Sequence, residues 1–436
     1  MQSKLLAVVL FVLTTTSAAR AQYDGGDLEY PVPTTFRYGG FWARDLGGRD
    51  RERVERCWAR VEYLLWWEKD GPVPGPLVTT GPVAPTTAAV GNPGTTVLFG
   101  DDGLDYMAHT GGLFTVGCWF DANATVGLEI SGLLVETHTI HSGLDSDLAG
   151  NPVIARPFFN VLTGAEDAQI LTAPNAFFGT NDGFSDSLFG GIDVFSDSRF
   201  WGGEANLLAD LGRGERGRLE LIGGFRYFGL DESLRISQST TVISAVLPNP
   251  VPAQFPGFLG DPVPPINIQS VLDRVDTRNE FYGGQLGLRG MLRAGRFSTE
   301  ATGKLGLGAT CQEVQLRGET ELTGPAGRIG IVPEGLYVVG ANNGTASRTR
   351  LSVISEVGLR CGVELTEGLT VHVGGMLLFW SDIARPGEQF NRNLNPQLVP
   401  SNVAFGTVTG PAEPARRFES SNFWAGGMNL GVTLRY

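Results

Sequence analysis

A two-residue alternation of apolar and polar side chains recurs along most of this chain and limits what it can fold into. The stretch 351–365 reads LSVISEVGLRCGVEL, with apolar residues at most odd positions and Ser352, Glu356, Arg360 and Glu364 among the even ones. Successive side chains of a β-strand point to opposite faces, so this stretch predicts a strand with one apolar and one polar face. The last fifteen residues, NFWAGGMNLGVTLRY, alternate in the same way.

The alternation predicts ten strands, joined by connections that are in turn long and short. The strands are expected at about 57–67, 107–121, 122–138, 198–209, 218–236, 278–292, 297–317, 348–365, 369–384 and 422–436. The long connections are expected to be loops, at about 68–106, 139–197, 237–277, 318–347 and 385–421. Short turns on one side and long loops on the other are typical of outer-membrane barrels, in which an even strand number leaves both termini in the periplasm.

We therefore predict an all-β fold, a closed antiparallel transmembrane β-barrel of about 10 strands, with 10–12 as the range. The short turns would face the periplasm and the long loops the exterior. A soluble β-sandwich also alternates but buries its apolar face in a core. A propeller would show a repeat of roughly 40–50 residues, which we do not find in the sequence.

The N-terminus has the features of a secretory signal peptide. Lys4 precedes an apolar run from Leu5 to Leu13, and Ala19-Arg20-Ala21 gives an A-x-A pattern. Residues 1–21 are thus expected to be cleaved near Ala21–Gln22, leaving 22–56 as a periplasmic segment and 57–436 as the barrel. No later apolar run is long enough for a transmembrane helix. The formal net charge of −13 argues against a nucleic-acid partner.

Several longer stretches resemble a known family of bacterial outer-membrane proteins. In chain order they are VEYLLWW followed by PLVTTGP, ARPFFN, WGGEANLL, LIGGFRYFGLDESLRI, RNEFYGGQLGLRG, SEVGLRCGVELTEGL, RPGEQFNRNLNPQLVP and NFWAGGMNLGVTLRY. Together they are similar to the family named Putative beta barrel porin-7, over nearly the whole chain after residue 21. The resemblance implies an outer-membrane β-barrel, and the family's name implies transport.

Polar side chains are concentrated at the alternate positions of the predicted strands that should face the interior of the barrel, and we call these positions the inward parity. Those expected to face the lumen are Arg60, Glu62, Glu129, Glu204, Asn206, Glu220, Arg226, Gln285, Arg289, Glu300, Lys304, Glu356, Arg360, Glu364, His372 and Arg435. They could line a pore and set its ion selectivity. Alternatively, they could fill a narrow barrel with ion pairs, since barrels of about eight strands have an interior just filled by side chains.

Aromatic residues on the opposite parity are expected at the lipid boundary, where their apolar rings and polar tips are both accommodated. They are Tyr63, Trp67, Trp201, Trp424 and Tyr436. Trp66 is expected beside Trp67 at the outer boundary.

The four cysteines allow three pairings. Cys57 and Cys118 share the lipid-facing parity near the periplasmic ends of neighbouring strands, so theirs is the only disulfide we expect to be feasible. Cys311 and Cys361 should differ by most of the membrane height, beyond the roughly 7 Å Cα limit for a bridge. They are expected to be apolar surface residues.

The expected function is a narrow porin-like channel for small solutes or ions. The alternatives are a non-conducting structural or surface-interaction barrel and, third, a barrel-embedded enzyme, for which His372 would be the candidate base. We expect no enzymatic activity, no metal and no cofactor. The expected partners are outer-membrane lipid and the barrel-assembly machinery, recruited through the C-terminal strand that ends at Tyr436.

Overall fold

The structure, a computed structural model, describes residues 56–82, 88–176, 186–243, 268–324, 327–402 and 404–436. The predicted signal peptide 1–21 and the predicted periplasmic segment up to residue 55 lie outside these ranges. Within the ranges, no helix is long and apolar enough to span a membrane.

The described residues form seventeen β-strands, numbered here along the chain. They are β1 (Cys57–Glu68), β2 (Pro76–Thr80), β3 (Thr96–Gly100), β4 (Ala108–Trp119), β5 (Val126–Val135), β6 (His138–Asp145), β7 (Ile154–Asn160), β8 (Ala165–Ala176), β9 (Asp186–Arg213), β10 (Gly217–Ile243), β11 (Ile268–Ala294), β12 (Phe297–Gly324), β13 (Gly327–Val332), β14 (Gly344–Thr366), β15 (Leu369–Ile383), β16 (Asn393–Leu394) and β17 (Ser421–Arg435). Short 3-10 helices cover Gly340–Asn342, Pro386–Gln389 and Pro396–Leu398.

Ten of these strands form a closed antiparallel ring. Its order is β1, β4, β5, β9, β10, β11, β12, β14, β15 and β17, and β17 pairs back with β1. Each of the ten predicted segments overlaps one strand of this ring, and β9 to β12 are longer than predicted. The prediction of loops in the long connections is wrong in part, because β2, β3, β6, β7, β8, β13 and β16 lie there and β9 to β12 run well into them.

Four short connections and both ends of the described chain lie at one end of the ring. The connections follow β4, β9, β11 and β14, and two of them contain a glycine in the left-handed region, Gly295 (φ 60°) and Gly368 (φ 82°). Glycine adopts this conformation without steric cost, which allows strands to reverse within a few residues. The amide of Cys57 donates to the carbonyl of Tyr436 at 2.9 Å, so the first and last strands are tied together at this turn end.

Strands β9 to β12 are 27 or 28 residues long and extend far beyond the other end of the ring. Along these strands the two faces exchange their character: near the ring the outer face is apolar and the inner face is charged, and beyond it the inner face is apolar. On β10, Phe225 on the outer face is 52 % exposed while the inward Arg226 is buried; further along, Leu234 and Ile236 are buried and Arg235 between them points outward. The inverted pattern explains why the strands continue, since an apolar inner face there has a core to pack against.

That core belongs to a second part of the molecule, which we call the cap. The cap consists of the extensions of β9 to β12, the strands β6 and β13, and the long connections with β2, β3, β7, β8 and β16. These connections form a small sheet in which β2 pairs with β3 and β7, β7 pairs with β8, and β16 runs parallel to β7. A large apolar cluster joins them to the extended strands, with Leu77, Phe158, Val275, Leu316 and Val339 among its buried members.

The outer face of the ring between the turn end and the cap is apolar. Its exposed side chains include Val61, Ile130, Leu207, Leu221, Leu286, Leu305, Leu359, Leu377 and Leu430, each between 38 % and 65 % exposed. Soluble monomers rarely expose contiguous apolar patches beyond a few hundred Å². A belt that follows all ten strands therefore indicates an apolar surrounding.

The cysteines follow the sequence prediction. Cys57 and Cys118 are directly opposite each other on β1 and β4 and form a disulfide with a Cα–Cα distance of 4.0 Å. Cys311 and Cys361 are exposed free thiols. Their partners in register on neighbouring strands are Thr349 and Thr299, so the two thiols lie at different heights of the β12–β14 pair.

Candidate functional site

The interior of the ring contains a layer of paired charges, and cross-strand register brings the partners together. Glu220 lies opposite Arg289, Glu204 opposite Arg226, Lys304 opposite Glu356, and Glu300 opposite Arg360. We call the following residues the charged layer: Arg60, Glu62, Glu129, Glu204, Glu220, Arg226, Arg289, Glu300, Lys304, Glu356 and Arg360. Parity alone predicts which residues point inward, whereas their pairing depends on a register that the sequence does not reveal.

One half of the charged layer is built around Arg360 and Arg289. Arg360 donates from Nε to Glu62 Oε1 at 2.9 Å and from Nη1 to Glu300 Oε1 at 2.6 Å. Arg60 Nη2 reaches Glu300 Oε2 at 3.2 Å, and Arg289 Nη2 reaches Glu129 Oε1 at 2.5 Å. Arg360–Glu300 joins neighbouring strands, whereas the other three contacts join strands that are not neighbours in the ring and therefore cross the interior.

The other half is centred on Arg226, which has no exposed side-chain surface. Its Nη2 lies 2.7 Å from Glu204 Oε2 and 2.6 Å from Glu356 Oε2. Lys304 Nζ contacts both carboxylates, with 3.1 Å to Glu356 Oε1. Gln285 adds a hydrogen bond from Nε2 to Glu204 Oε2 at 2.8 Å. Buried charges are tolerated when paired and hydrogen-bonded in this way.

The remaining predicted lumen residues fall into two groups. Asn206 and His372 are buried beside the charged layer: Asn206 accepts from Gln285, and His372 Nε2 lies 3.3 Å from Glu62 Oε1. Glu364 instead pairs with Arg293 at 2.6 Å at the turn end, with 26 % of its side chain exposed. Arg435 is the last residue of β17 and is only half-buried, at the same end.

Apolar side chains close the interior on both sides of the charged layer. At the turn end, Trp58, Trp119, Ala124, Leu208 and Ile222 form one buried cluster. Toward the cap, a larger cluster contains Leu64, Trp66, Leu113, Leu133, Phe200, Phe228, Phe281, Met376, Leu378, Trp380 and Phe423. We call this larger cluster the apolar layer. With Ile354 of β14, its members come from every strand of the ring except β12, so it reaches around most of the ring.

A small cavity of about 40 Å³ separates the two layers. Charged-layer residues such as Glu204 and Lys304 line one side, and Trp66, Phe228 and Met376 line the other. A water molecule needs roughly 10–15 Å³ by the same kind of measure, so the space suits a few waters.

Sequence reasoning missed the apolar layer, although one signal for it was available. Leu64 and Trp66 share the inward parity of Arg60 and Glu62, so the same argument places them inside. Trp66 is 2 % exposed, in contrast to its predicted place at the lipid boundary. Arg218 and Asn429 were also missed: Arg218 Nε lies 3.0 Å from Glu220 Oε1, and Asn429 donates to Glu62 at 3.0 Å.

The predicted boundary aromatics lie on the outer face, but not all of them at its edge. Trp67, Trp424 and Tyr436 are exposed near the ends of β1 and β17, and Trp201 lies under the guanidinium of Arg199 at 5.0 Å. Tyr63 is 54 % exposed, yet it lies midway along β1 and therefore away from either boundary.

A buried ion pair joins the ring to the cap. Arg385, in the connection after β15, binds Glu232 of β10 at 2.7 Å, and neither side chain has exposed surface. The same guanidinium donates to the carbonyls of Lys69 and Asp70 at 3.2 Å. Burial raises the pKa of Glu232 despite this partner. The pair fixes the chain just beyond the apolar layer.

Glu68, the residue after Trp67, is buried at the same junction. Its Oε1 lies 3.7 Å from Nε2 of His109, and neither atom has a hydrogen-bond partner among the described residues. Burial, followed by the nearby charge of Glu232, raises the pKa of Glu68 to about 7.

Deeper in the cap, Asp273 organises the connection between β13 and β14. Its carboxylate accepts from the amides of Leu336, Tyr337 and Val338 at 2.8–3.2 Å and lies 2.7 Å from Arg156 Nη2. The ring of Tyr337 stacks on Arg156 at 4.5 Å, and its hydroxyl donates to the carbonyl of Pro157 at 2.7 Å. This fully buried carboxylate therefore ties the connection between β13 and β14 to β11 and to Arg156.

A closed ring of antiparallel strands places this fold in the class of β-barrel proteins. The chain belongs to the family described as Putative beta barrel porin-7, whose model matches residues 58–436. No curated protein matches it.

Among solved structures, the chain is similar to the outer membrane protease OmpT from Escherichia coli, with 10 % identity, 88 % of this chain and 97 % of that chain covered, and a TM-score of 0.38. It is also similar to a Pseudomonas aeruginosa FadL homologue, with 10 % identity, 87 % and 90 % covered, and a TM-score of 0.22.

Proposed function

We propose that this chain is a bacterial outer-membrane β-barrel with a closed interior, which anchors a folded extracellular cap and conducts no solute. The observation that carries this proposal is the apolar layer, together with the paired charges beneath it. A path for ions would need a continuous polar route, and the apolar layer interrupts it toward the cap.

The membrane placement is supported by the outer face. The apolar belt gives way to charged side chains at the level of Trp67, Trp201 and Trp424, as expected at a membrane–water interface. We take the spanning part of each strand to run from the turn end to this level, so that it ends at Trp67 on β1. The turn end then lies in the periplasm and the cap outside. Export by the predicted signal peptide, contact with outer-membrane lipid and insertion through the C-terminal strand are parts of the same proposal.

A narrow channel for small solutes or ions is the second candidate, because charged side chains line the interior as they do in selective pores. It would require the apolar layer to move aside.

We propose no catalytic role: His372, the one base considered, is in contact with Glu62, which is itself bound by Arg360 and Asn429.

The test measures membrane insertion and solute efflux in the same preparation. The full chain is refolded into liposomes, and insertion is checked by heat-modifiable mobility on gels. Inserted protein should leave the efflux of a small entrapped ion or sugar at the rate of empty liposomes. Rapid efflux by heat-modifiable protein would favour the channel, and a soluble protein of unchanged mobility would contradict the barrel itself.

A further inference from the structure

Three arginines lie side by side on the outer face of the cap. Arg235 on β10 is opposite Arg274 on β11, which is opposite Arg317 on β12. Directly opposite residues of antiparallel strands have Cα atoms about 4.5–5.5 Å apart. We call Arg235, Arg274 and Arg317 the arginine row.

The burial pattern shows that all three arginines point away from the cap core. Arg235 lies between the fully buried Leu234 and Ile236, and Arg274 lies between the fully buried Asp273 and Val275. Arg317 follows the fully buried Leu316 and is itself exposed. The row therefore forms part of the outer surface, on the same face as the apolar belt further down these strands.

Among the described residues, Arg274 is the one member of the arginine row that forms an ion pair. Arg274 pairs with Asp276 on its own strand at 2.7 Å. Arg235 lies over the ring of Phe195 at 4.4 Å, and its Nε has no hydrogen-bond partner among the described residues. Arg317 donates to the amide oxygen of Gln315 at 2.9 Å. Like charges directly opposite in a sheet are unfavourable, so the bare protein bears a cost here.

The arginine row differs from the rows of charges nearer the membrane. There Arg278 lies 2.8 Å from Glu280 and is opposite Asp231, so cations and acids alternate. Cations therefore face acids across the strands in that row, whereas in the arginine row they face one another. A bound anion would relieve their repulsion.

The position of the row indicates where that anion comes from. Tyr227 is the last outward-facing aromatic residue of β10 before the charged Asp231, so it marks the end of the apolar belt on this strand. Arg235 lies eight residues further on, which is about 26 Å along the strand and about 20 Å in height for a strand tilted by about 40°. Such a height is beyond the head groups of simple phospholipids but within reach of a sugar chain carried by a neighbouring lipid. Guanidinium groups suit phosphate because their planar fork matches its oxygens.

We propose that the arginine row binds the phosphorylated saccharide of a glycolipid in the outer leaflet around the barrel. This inference rests on the proposed placement in the outer membrane. It adds a binding surface for the surrounding lipid to a barrel whose interior has no open path.

The test measures binding of the detergent-solubilised full chain to a lipopolysaccharide with a phosphorylated core. Wild type is compared with the triple variant Arg235→Gln, Arg274→Gln, Arg317→Gln and with a control variant, Arg199→Gln with Arg278→Gln. Heat-modifiable mobility is checked for each, which separates a failed barrel from a failed site. The triple variant should bind at least roughly tenfold more weakly, since hydrogen bonds to charged groups are lost, and the control should bind as wild type. Arg317→Gln alone, at the exposed end of the row, should weaken binding less in the same direction.

Two further ligands identify the source of the anion. The same lipopolysaccharide after dephosphorylation should bind wild type as weakly as the phosphorylated form binds the triple variant. Inorganic tripolyphosphate should compete only at much higher concentration, because it lacks the lipid and sugar contacts. Unchanged binding by the triple variant, equal loss in the control, equal binding of the dephosphorylated form, or tripolyphosphate competing as effectively as the glycolipid would each overturn the proposal.

Discussion

At the scale of single residues, neighbouring side chains of one strand face two different environments, one outside the ring and one inside it. Leu359 and Arg360 are neighbours on β14, yet one is 53 % exposed within the apolar belt and the other binds Glu62 and Glu300 inside. The outer face of the ring is apolar, whereas the inner face carries paired charges. A charge added within the apolar belt should therefore cost more than the same charge added on the same face beyond the belt.

Leu359→Arg should destabilise the protein by about 2–4 kcal/mol, because it moves a charge into the middle of the lipid face. Ser347→Arg is the matched control, since Ser347 is exposed on the same strand beyond the belt and lies opposite Glu313. Its cost should be close to zero. Reversible unfolding in liposomes measures both, and equal costs would show that the belt is not in contact with lipid.

Glu68→Gln should change how stability depends on pH. The pKa of Glu68 is raised in the folded protein from 4.5 to about 7, so the folded state holds a proton that the unfolded state releases. Wild-type stability from this group is therefore highest below pH 4.5 and falls as pH rises to about 7. Glutamine, being neutral, should abolish this loss.

The variant should accordingly be more stable than wild type above pH 7 by up to about 3 kcal/mol, and equal to it below pH 4.5. Unfolding free energies measured across this range test the difference, which isolates Glu68 from other titrating groups. A difference that does not change with pH would mean that the pKa of Glu68 is the same in the folded and the unfolded protein.

At the scale of elements, alternation in the sequence identifies the ten strands of the ring but not their full length. The sequence predicts a strand at about 218–236 followed by a loop, whereas β10 continues to Ile243. Beyond Gly229 the outward positions become polar, as at Asp231 and Arg235, while Leu234 and Ile236 are buried on the inner face. A rule that always places apolar residues on the outer face therefore fails to predict the part of a strand that extends beyond the apolar belt.

Register is the other property that alternation leaves open. Glu300 and Arg360 each had the inward parity, but their pairing across β12 and β14 depends on a turn geometry that composition does not determine. Cys57 and Cys118 were easier to pair, since both lie close to the turn end of neighbouring strands. Long-range contacts such as Arg385–Glu232 had no local signal.

The last strand should be required for closure. β17 pairs with both β15 and β1, and Leu434 lies opposite Leu369 and Ala59. Deleting Leu434 to Tyr436 should leave the ring open at the turn end and the chain periplasmic and sensitive to protease. Deleting residues 408–410 from the exposed part of the cap is the control and should permit insertion. Normal membrane insertion of the C-terminal truncation would contradict a role for these residues in assembly.

At the scale of the whole molecule, side chains fill the interior of the ring apart from the small cavity between the charged layer and the apolar layer. Aromatic and aliphatic side chains close the turn end, paired charges occupy the middle, and the apolar layer and the cap core follow. Charge balance within the middle explains why so many ionisable residues can be buried together. Such an interior favours an anchor for the cap over an open channel.

Single-channel recording in a planar bilayer tests this closed interior most directly. Purified, heat-modifiable wild-type protein should insert without producing steady conductance steps. The double variant Trp66→Ala, Trp380→Ala removes two large side chains of the apolar layer and should conduct measurably more, whereas Trp67→Ala, on the outer face, should remain silent. Reproducible steps from the wild-type protein, with an ion selectivity altered by Lys304→Gln, would contradict the account and support the channel.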